Sequence, residues 1–315
     1  MNCDPKSGRR VSFVKIILFS LVLLFLAALL WADEEGDHRP ALGFWGIMAY
    51  PRYWMSLIFG LLGFILLWKV RFTRNLRLLF LPVIFFVFSL VKLLPLGTFA
   101  RRLGLHPSPV CTLTKPFLFF EEGKVVPLVF WVSLLVITVL TLLGNKLFCG
   151  WVCPIGALQE LIHRIPLPKR LKLKIPFRVA NSIRVVIFAL FILFVFMMGI
   201  EIYEYFSPFE ALHWNLEAAG LIILGAVMLV ALFIWRPFCY FVCPLGLLTW
   251  VLEQFSIFRV KVEPGICTDC DRCIRENPCL AMPAIVKDSR IRPDCFACGL
   301  CLDSCTKKGL SYGRR

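Results

Sequence analysis

Leu147-Phe148-Cys149-Gly150-Trp151-Val152-Cys153-Pro154-Ile155-Gly156 is echoed by Pro237-Phe238-Cys239-Tyr240-Phe241-Val242-Cys243-Pro244-Leu245-Gly246. Both Cys, the Pro and the Gly recur at an offset of 90 residues. Each stretch closes an apolar run, Val125–Phe148 and Ala218–Trp235. Crossing the hydrocarbon core takes about 20 mostly apolar residues. Four more runs qualify: Val11–Trp31, Tyr53–Val70, Leu78–Leu96 and Ile183–Ile200. All six are read as helices, because an α-helix satisfies its own backbone groups in lipid. The Lys115-Pro116-Phe117 and Ser207-Pro208-Phe209 segments match at an offset of 92. The helix pairs three–four and five–six therefore read as a parallel repeat about an axis normal to the membrane.

Composition agrees. Of 315 residues, 59% are hydrophobic and 17% charged, with mean hydropathy +0.79. A soluble domain runs about 45–50% apolar and about 25% charged, and a disordered chain is less hydrophobic still. The net charge of +15 reads as orientation. The segments before span one, between two and three, and between four and five carry sixteen Lys and Arg against Asp4 and Glu160. The segments of the opposite face carry six basic residues and ten acids. Positive loops mark the cytoplasmic side, so both termini are expected inside and no nucleic-acid partner is expected. Ser7-Gly8-Arg9-Arg10-Val11-Ser12-Phe13 resembles a twin-arginine signal. The apolar run behind it is long for a signal peptide, and an uncleaved anchor is expected. Lys92 is read as snorkelling to the interface, and Glu201 and Glu204 as solvated rim residues.

Cys-x3-Cys-Pro leaves its chemistry open. Residues i and i+4 share a helix face, and Pro suits the first turn of a new helix. A pseudo-two-fold would gather Cys149, Cys153, Cys239 and Cys243 into a thiolate-bound metal or iron–sulfur centre. Redox disulfides and plain packing thiols are the rival readings.

After Trp250 the apolar character fades, and eight of the fourteen Cys fall between Cys267 and Arg315. Cys267, Cys270 and Cys273 form one x2-spaced run, followed by Cys279. Cys295, Cys298, Cys301 and Cys305 match Cys-x2-Cys-x2-Cys-x3-Cys in full. In two-cluster ferredoxins the fourth Cys of each run ligates the other cluster. That predicts one [4Fe–4S] on Cys267, Cys270, Cys273 and Cys305, and a second on Cys295, Cys298, Cys301 and Cys279. The first run departs in its x5 spacing to Cys279, and neither fourth Cys precedes a Pro. Zinc sites often include His, and no His follows His213. Disulfides are disfavoured in a reducing cytoplasm.

These features together resemble the membrane ferredoxin-type quinol dehydrogenases of the NapH type. Relatives include the methylamine-utilisation ferredoxin-type proteins and the membrane core of NosR. The likeness covers Leu78 to Cys305. It implies electron transfer between the quinol pool and a partner redox protein, with the chain acting as a quinol dehydrogenase or electron-transfer subunit. The expected fold is an all-α polytopic membrane protein of the bacterial inner membrane. A two-helix segment (1–77) precedes a duplicated four-helix core (78–250) and a cytoplasmic two-cluster ferredoxin-like tail (251–315). Quinone and a third thiolate-bound centre complete the expected cofactors. The alternative function is metallocentre assembly or copper-ion reduction by the Cys-x3-Cys-Pro thiols, since soft thiolates suit Cu(I). On the opposite face Cys111, His106 and His213 are weak ligand candidates, since a loop His is more often a surface residue.

Overall fold

The computed structural model describes residues 43–69, 73–95, 97–104, 107–212, 218–263, 265–267, 270–305 and 307–315. The run Val11–Trp31, the twin-arginine-like stretch, His106 and His213 lie outside them. The chain is mostly helical. Among the described residues three helices are long and apolar enough to cross a membrane: Pro51–Lys69, Arg74–Leu93 and Phe177–Met198. The second begins on an N-cap, Thr73 Oγ1 accepting from the Leu76 N–H at 3.3 Å. Pro82 interrupts its ladder, since proline has no N–H and crowds the preceding turn. The helix then passes through a π turn, Phe86–Leu90, and a 3-10 turn, Val91–Leu93. Phe177–Met198 leaves Val186, Leu190, Leu193, Phe196 and Met197 exposed, as a face turned to lipid would.

Leu128–Gly144 and Ala218–Phe233 have 17 and 16 residues. At 1.5 Å per residue they reach about 24–26 Å, short of a hydrocarbon core of about 30 Å. The run Val125–Phe148 is thus not one helix. It breaks at Asn145, whose φ is +60°, and the motif begins a separate helix, Leu147–Trp151. Arg236, with φ +47°, opens the second motif helix, Pro237–Phe241.

The opposite face departs further from expectation. Residues read as loop form a helix, Pro109–Glu121, with Ser108 Oγ accepting from the Cys111 N–H at 3.2 Å. It packs against Leu128–Gly144, Phe177–Met198 and Pro244–Glu253. Glu201 is buried rather than solvated: it accepts from Thr114 Oγ1 and pairs with Lys115 at 2.8 Å. Its neighbour Glu204 stays exposed.

The tail closes on itself through two antiparallel strands, β1 (Phe258–Val262) and β2 (Leu310–Arg314), with Val262 opposite Leu310 and Phe258 opposite Arg314. It docks on the helices by its aromatic face. The Phe258 ring meets those of Phe64 and Trp68 at 4.7 and 5.4 Å, and Tyr312 Oη donates to the Gly144 carbonyl at 3.1 Å.

Candidate functional site

The two motif segments share one backbone conformation. Cys153 and Cys243 stand at the N-caps of Pro154–His163 and Pro244–Glu253, at φ/ψ of −67/115° and −60/114°. Their N–H groups donate to Phe148 O at 3.0 Å and Phe238 O at 2.9 Å. The proline that follows occupies the first helical position, where its missing N–H costs nothing. In each motif a five-residue helix ends, the chain turns at a cysteine, and a ten-residue helix begins. A side chain in place of Gly156 or Gly246 would come within 2.8 Å of Cys149 O or Cys239 O.

The fold brings the four motif thiols together. Cys153 lies within electrostatic reach of Cys149, Cys239 and Cys243, and Cys243 within reach of Cys149 and Cys239. The Gly156 N–H donates to Cys153 Sγ at 3.5 Å and Gln159 Nε2 to Cys239 Sγ at 3.6 Å. Cys149, Cys153, Cys239 and Cys243 keep 9, 8, 7 and 9% of their surface uncovered, while Trp151, Val152, Ile155 and Arg236 around them are covered completely.

A collar of buried charge surrounds this set. Glu160 is bound by Arg77 at 2.9 Å, by Arg164 at 3.0 Å and by Arg236. Asp294, from the tail, is bound by Lys146 and by Arg184 at 3.0 Å. The same cations hold the motif backbone. Arg236 donates to Cys149 O at 2.9 Å, Arg184 to Cys239 O at 3.0 Å, Arg77 to Gly150 O at 2.6 Å and Lys146 to Gly246 O at 2.7 Å. Burial alone would raise the Glu160 carboxyl; the guanidinium groups of Arg77, Arg236 and Arg164 outweigh it and hold the group well below the usual carboxylate range. Arg77 Nη1, Arg184 Nε and Arg236 Nε remain buried without a hydrogen-bond partner.

Two further gatherings lie in the tail. Cys267, Cys270, Cys273 and Cys305 line one pocket at the surface, where the Gly309 N–H donates to Cys305 Sγ at 3.2 Å. Cys279, Cys295, Cys298 and Cys301 lie within mutual electrostatic reach, the last three buried and Cys279 half-buried. Asp271 and Gly299 each follow the second Cys of a run, and both adopt left-handed φ, +53° and +75°. The two runs thus turn alike despite different sequences. The stretch Asp294–Cys298 lies against the motif helices. Trp151 Nε1 donates to Ala297 O at 3.0 Å, the Lys146 N–H to Cys295 O at 3.3 Å, and the Tyr240 and Phe296 rings meet edge-on at 5.4 Å. Gly150 allows this approach, since a Cβ there would stand 2.1 Å from Phe296 O.

All thirteen described cysteines are free thiols. Among the described residues no three His, Cys, Asp or Glu side chains are arranged to hold a single metal ion. A zinc ion with bonds of about 2.3 Å to sulfur draws its ligands tightly together, whereas a cluster spreads four thiolates over its corners. The donor sets fit a cluster: four thiols each, walled by backbone N–H groups and, in the motif set, by cations. Cys111 sits apart in the Pro109–Glu121 helix.

Sequence reasoning counted Arg77, Lys146, Arg164 and Arg184 as loop charges and missed the collar. One signal was present: Lys146 and Arg236 each stand three residues before the first Cys of a motif.

A family model described as a 4Fe-4S binding domain matches residues 125–175 and 216–263, the two motif-bearing stretches. An uncharacterized protein of Methanocaldococcus jannaschii is 30% identical over 202 residues, 62% of this chain and 82% of its own length. The ferredoxin-type protein NapH of Escherichia coli is 27% identical over 210 residues, 62% of this chain and 72% of its own. The methylamine utilization ferredoxin-type protein MauN of Methylobacillus flagellatus is 28% identical over 142 residues, 44% of this chain and 50% of its own. No solved structure matches the chain.

Proposed function

The chain belongs to the ferredoxin-type family of NapH and MauN, membrane-associated 4Fe–4S electron-transfer proteins, and we propose that it carries electrons between the quinol pool and a partner redox protein. The observation that carries this reading is the crossed gathering of the tail thiols: Cys305 joins the first run and Cys279 the second, as two-cluster ferredoxins pair them. On this reading Cys267, Cys270, Cys273 and Cys305 hold one [4Fe–4S], and Cys279, Cys295, Cys298 and Cys301 hold the other. Bound there, each cluster supplies a one-electron carrier.

Cys149, Cys153, Cys239 and Cys243 hold a third thiolate-bound centre. The gathering of the four thiols and the cationic collar support it. Four fully covered cations, Arg77, Lys146, Arg184 and Arg236, face two fully covered carboxylates, Glu160 and Asp294, with the buried Glu253 beside them accepting from the Cys295 N–H. Burying surplus charge is costly unless a counter-charge is present. A thiolate-ligated cluster is an anion, which the surplus cations would balance. Packing supports one order for such a relay: the motif set, then the tail set carried on Asp294–Cys298, then the surface set, whose Cys270 is exposed. Oxidation of one quinol releases two electrons and two protons, and the electrons leave singly along this path. Six spans in a parallel repeat, with both termini in the cytoplasm of a bacterial inner membrane, complete the reading. The matched backbone of the two motifs and the biased loop charge support it.

The test uses the full chain purified anaerobically in detergent. Added quinol is expected to bleach the broad iron–sulfur absorbance, and a preparation whose clusters are reducible by dithionite but by no quinol overturns the proposal.

A further inference from the structure

Resting on the reading of the motif thiols as a third centre, we infer that electrons leave that centre on the Cys149 side, through the main-chain contact between Gly150 and Phe296, and that Gly150 is the positioning residue that lets this contact close. The two motifs agree at both Cys, the Pro and the Gly, yet differ at the residue after the first Cys: Gly150 in one, Tyr240 in the other. The tail tells these two positions apart. Gly150 follows Cys149, and Phe296 follows Cys295. A Cβ on Gly150 would stand 2.1 Å from Phe296 O and 3.3 Å from its carbonyl carbon. Two main chains therefore touch with no side chain between them, an approach that only glycine permits. Neighbouring bonds hold the contact shut. Trp151 Nε1 donates to Ala297 O at 3.0 Å, and the Lys146 N–H to Cys295 O at 3.3 Å. Arg236 Nη1 donates to Cys149 O at 2.9 Å, while the same guanidinium lies 4.5 Å from the centroid of the Phe296 ring.

The second motif meets the tail differently. Tyr240 puts a ring where the first motif has bare backbone, edge-on to the Phe296 ring with centroids 5.4 Å apart. Cys239 O reaches the tail through Arg184, which donates to it at 3.0 Å and to Asp294 Oδ2 at 3.0 Å. On the Cys149 side, then, the residue next to one ligand touches the residue next to another. On the Cys239 side the connection crosses two rings, or a guanidinium and a carboxylate. Electron transfer between two centres slows as the gap between them lengthens, so the direct contact is the faster path. A duplicated donor set thereby acquires a single exit. In the step itself one electron leaves the motif centre, which is oxidised by one, and the cluster on Cys279, Cys295, Cys298 and Cys301 is reduced by one; no bond forms or breaks. Close packing by itself would also select glycine at position 150, but it would leave the communication between the centres indifferent to which motif is altered.

The experiment compares variants of the full chain purified anaerobically in detergent. Gly150→Ala is expected to keep its iron and sulfide, to narrow the spin–spin splitting between centres in the EPR spectrum of the dithionite-reduced chain, and to slow the arrival of electrons from quinol at the tail clusters severalfold. Tyr240→Leu, altered at the equivalent position of the second motif, is expected to have the lesser effect on both readouts. Trp151→Phe removes the hydrogen bond to Ala297 O and keeps a ring in place. It covers the case in which the alanine variant fails to fold or to load iron, and is expected to act in the same direction as Gly150→Ala. Splitting and rate unaltered in Gly150→Ala and Trp151→Phe, or a greater loss in Tyr240→Leu, overturns the assignment of the exit to the Cys149 side. A Cys153→Ser, Cys243→Ser double variant that keeps the full iron content overturns instead the third centre on which the assignment rests. The splitting is read without quinol, so a failure of the quinol reading shows separately.

Discussion

The surface thiol set and the motif set use the same four donors and differ in everything around them. Cys267, Cys270, Cys273 and Cys305 sit on short turns of the tail, in a pocket that also admits Arg272 and Lys307. Cys149, Cys153, Cys239 and Cys243 sit where two helix breaks meet, walled by fully covered residues and held by ions from four separate segments. The first set can be reached by a partner and tolerates local change. The second is a keystone: its walls are the contacts that join the two motif stretches to each other and to the tail. Ligand chemistry is thus set by sequence spacing, while accessibility and resilience are set by packing.

The sharpest way to break the comparison is at Asp294. It comes from the tail and is the carboxylate shared by Lys146 and Arg184, all three without exposed surface. Removing one partner of a buried ion group leaves uncompensated charge, at a cost of about 3–5 kcal/mol. Asp294→Ala is expected to lower the thermal unfolding midpoint strongly and to release the tail. Unfolding followed in detergent, with limited proteolysis after Glu253, reads both effects; an unaltered midpoint would show that the collar does not join the parts.

Chelation separates the two sets next. A membrane-impermeant chelator with mild oxidant is expected to remove about four irons per chain first, from the set that includes exposed Cys270. The remaining iron is expected to leave about tenfold more slowly. Iron and sulfide assays over time check this, and a single phase covering all the iron would erase the distinction. Tyr312→Phe is milder. It removes the donor to Gly144 O while keeping the ring against Phe64 and Phe258, and is expected to cost about 1 kcal/mol in the same unfolding assay.

The legible parts of the molecule were those in which spacing is itself the chemistry. The x2 runs pointed to thiols gathered on tight loops, and the 90-residue offset to two segments of like backbone. The collar was not legible. Lys146 and Arg184 read as ordinary boundary cations, because linear sequence does not reveal that Asp294, over a hundred residues away from both, folds back between them. The Pro109–Glu121 helix was missed for a related reason. Its Pro116 and polar Thr112, Thr114 and Lys115 suggest a loop, yet Thr112 and Thr114 turn their hydroxyls back to the carbonyls of Ser108 and Val110 at 2.9 and 3.2 Å.

The smallest expected effect lies at the rim of the surface set. Arg272 pairs with Glu276 at 2.8 Å, one helical turn away, with both side chains roughly half exposed. Such pairs are worth a few tenths of a kcal/mol and are screened by salt. Arg272→Ala is therefore expected to change unfolding by no more than about 0.5 kcal/mol, in contrast to the ion groups of the collar. Its influence should appear elsewhere. Arg272 lines the pocket of Cys267, Cys270, Cys273 and Cys305, and a cation beside a site that gains negative charge on reduction favours the reduced form. Removing it is expected to lower the midpoint potential of one spectroscopic component slightly, the more so at low salt, while the others hold still. Redox titration at two ionic strengths reads this. A shift shared by every component would mean that the tail and the motif set do not form separate electrostatic environments, and the contrast between an open and a walled site would fail at its most exposed point.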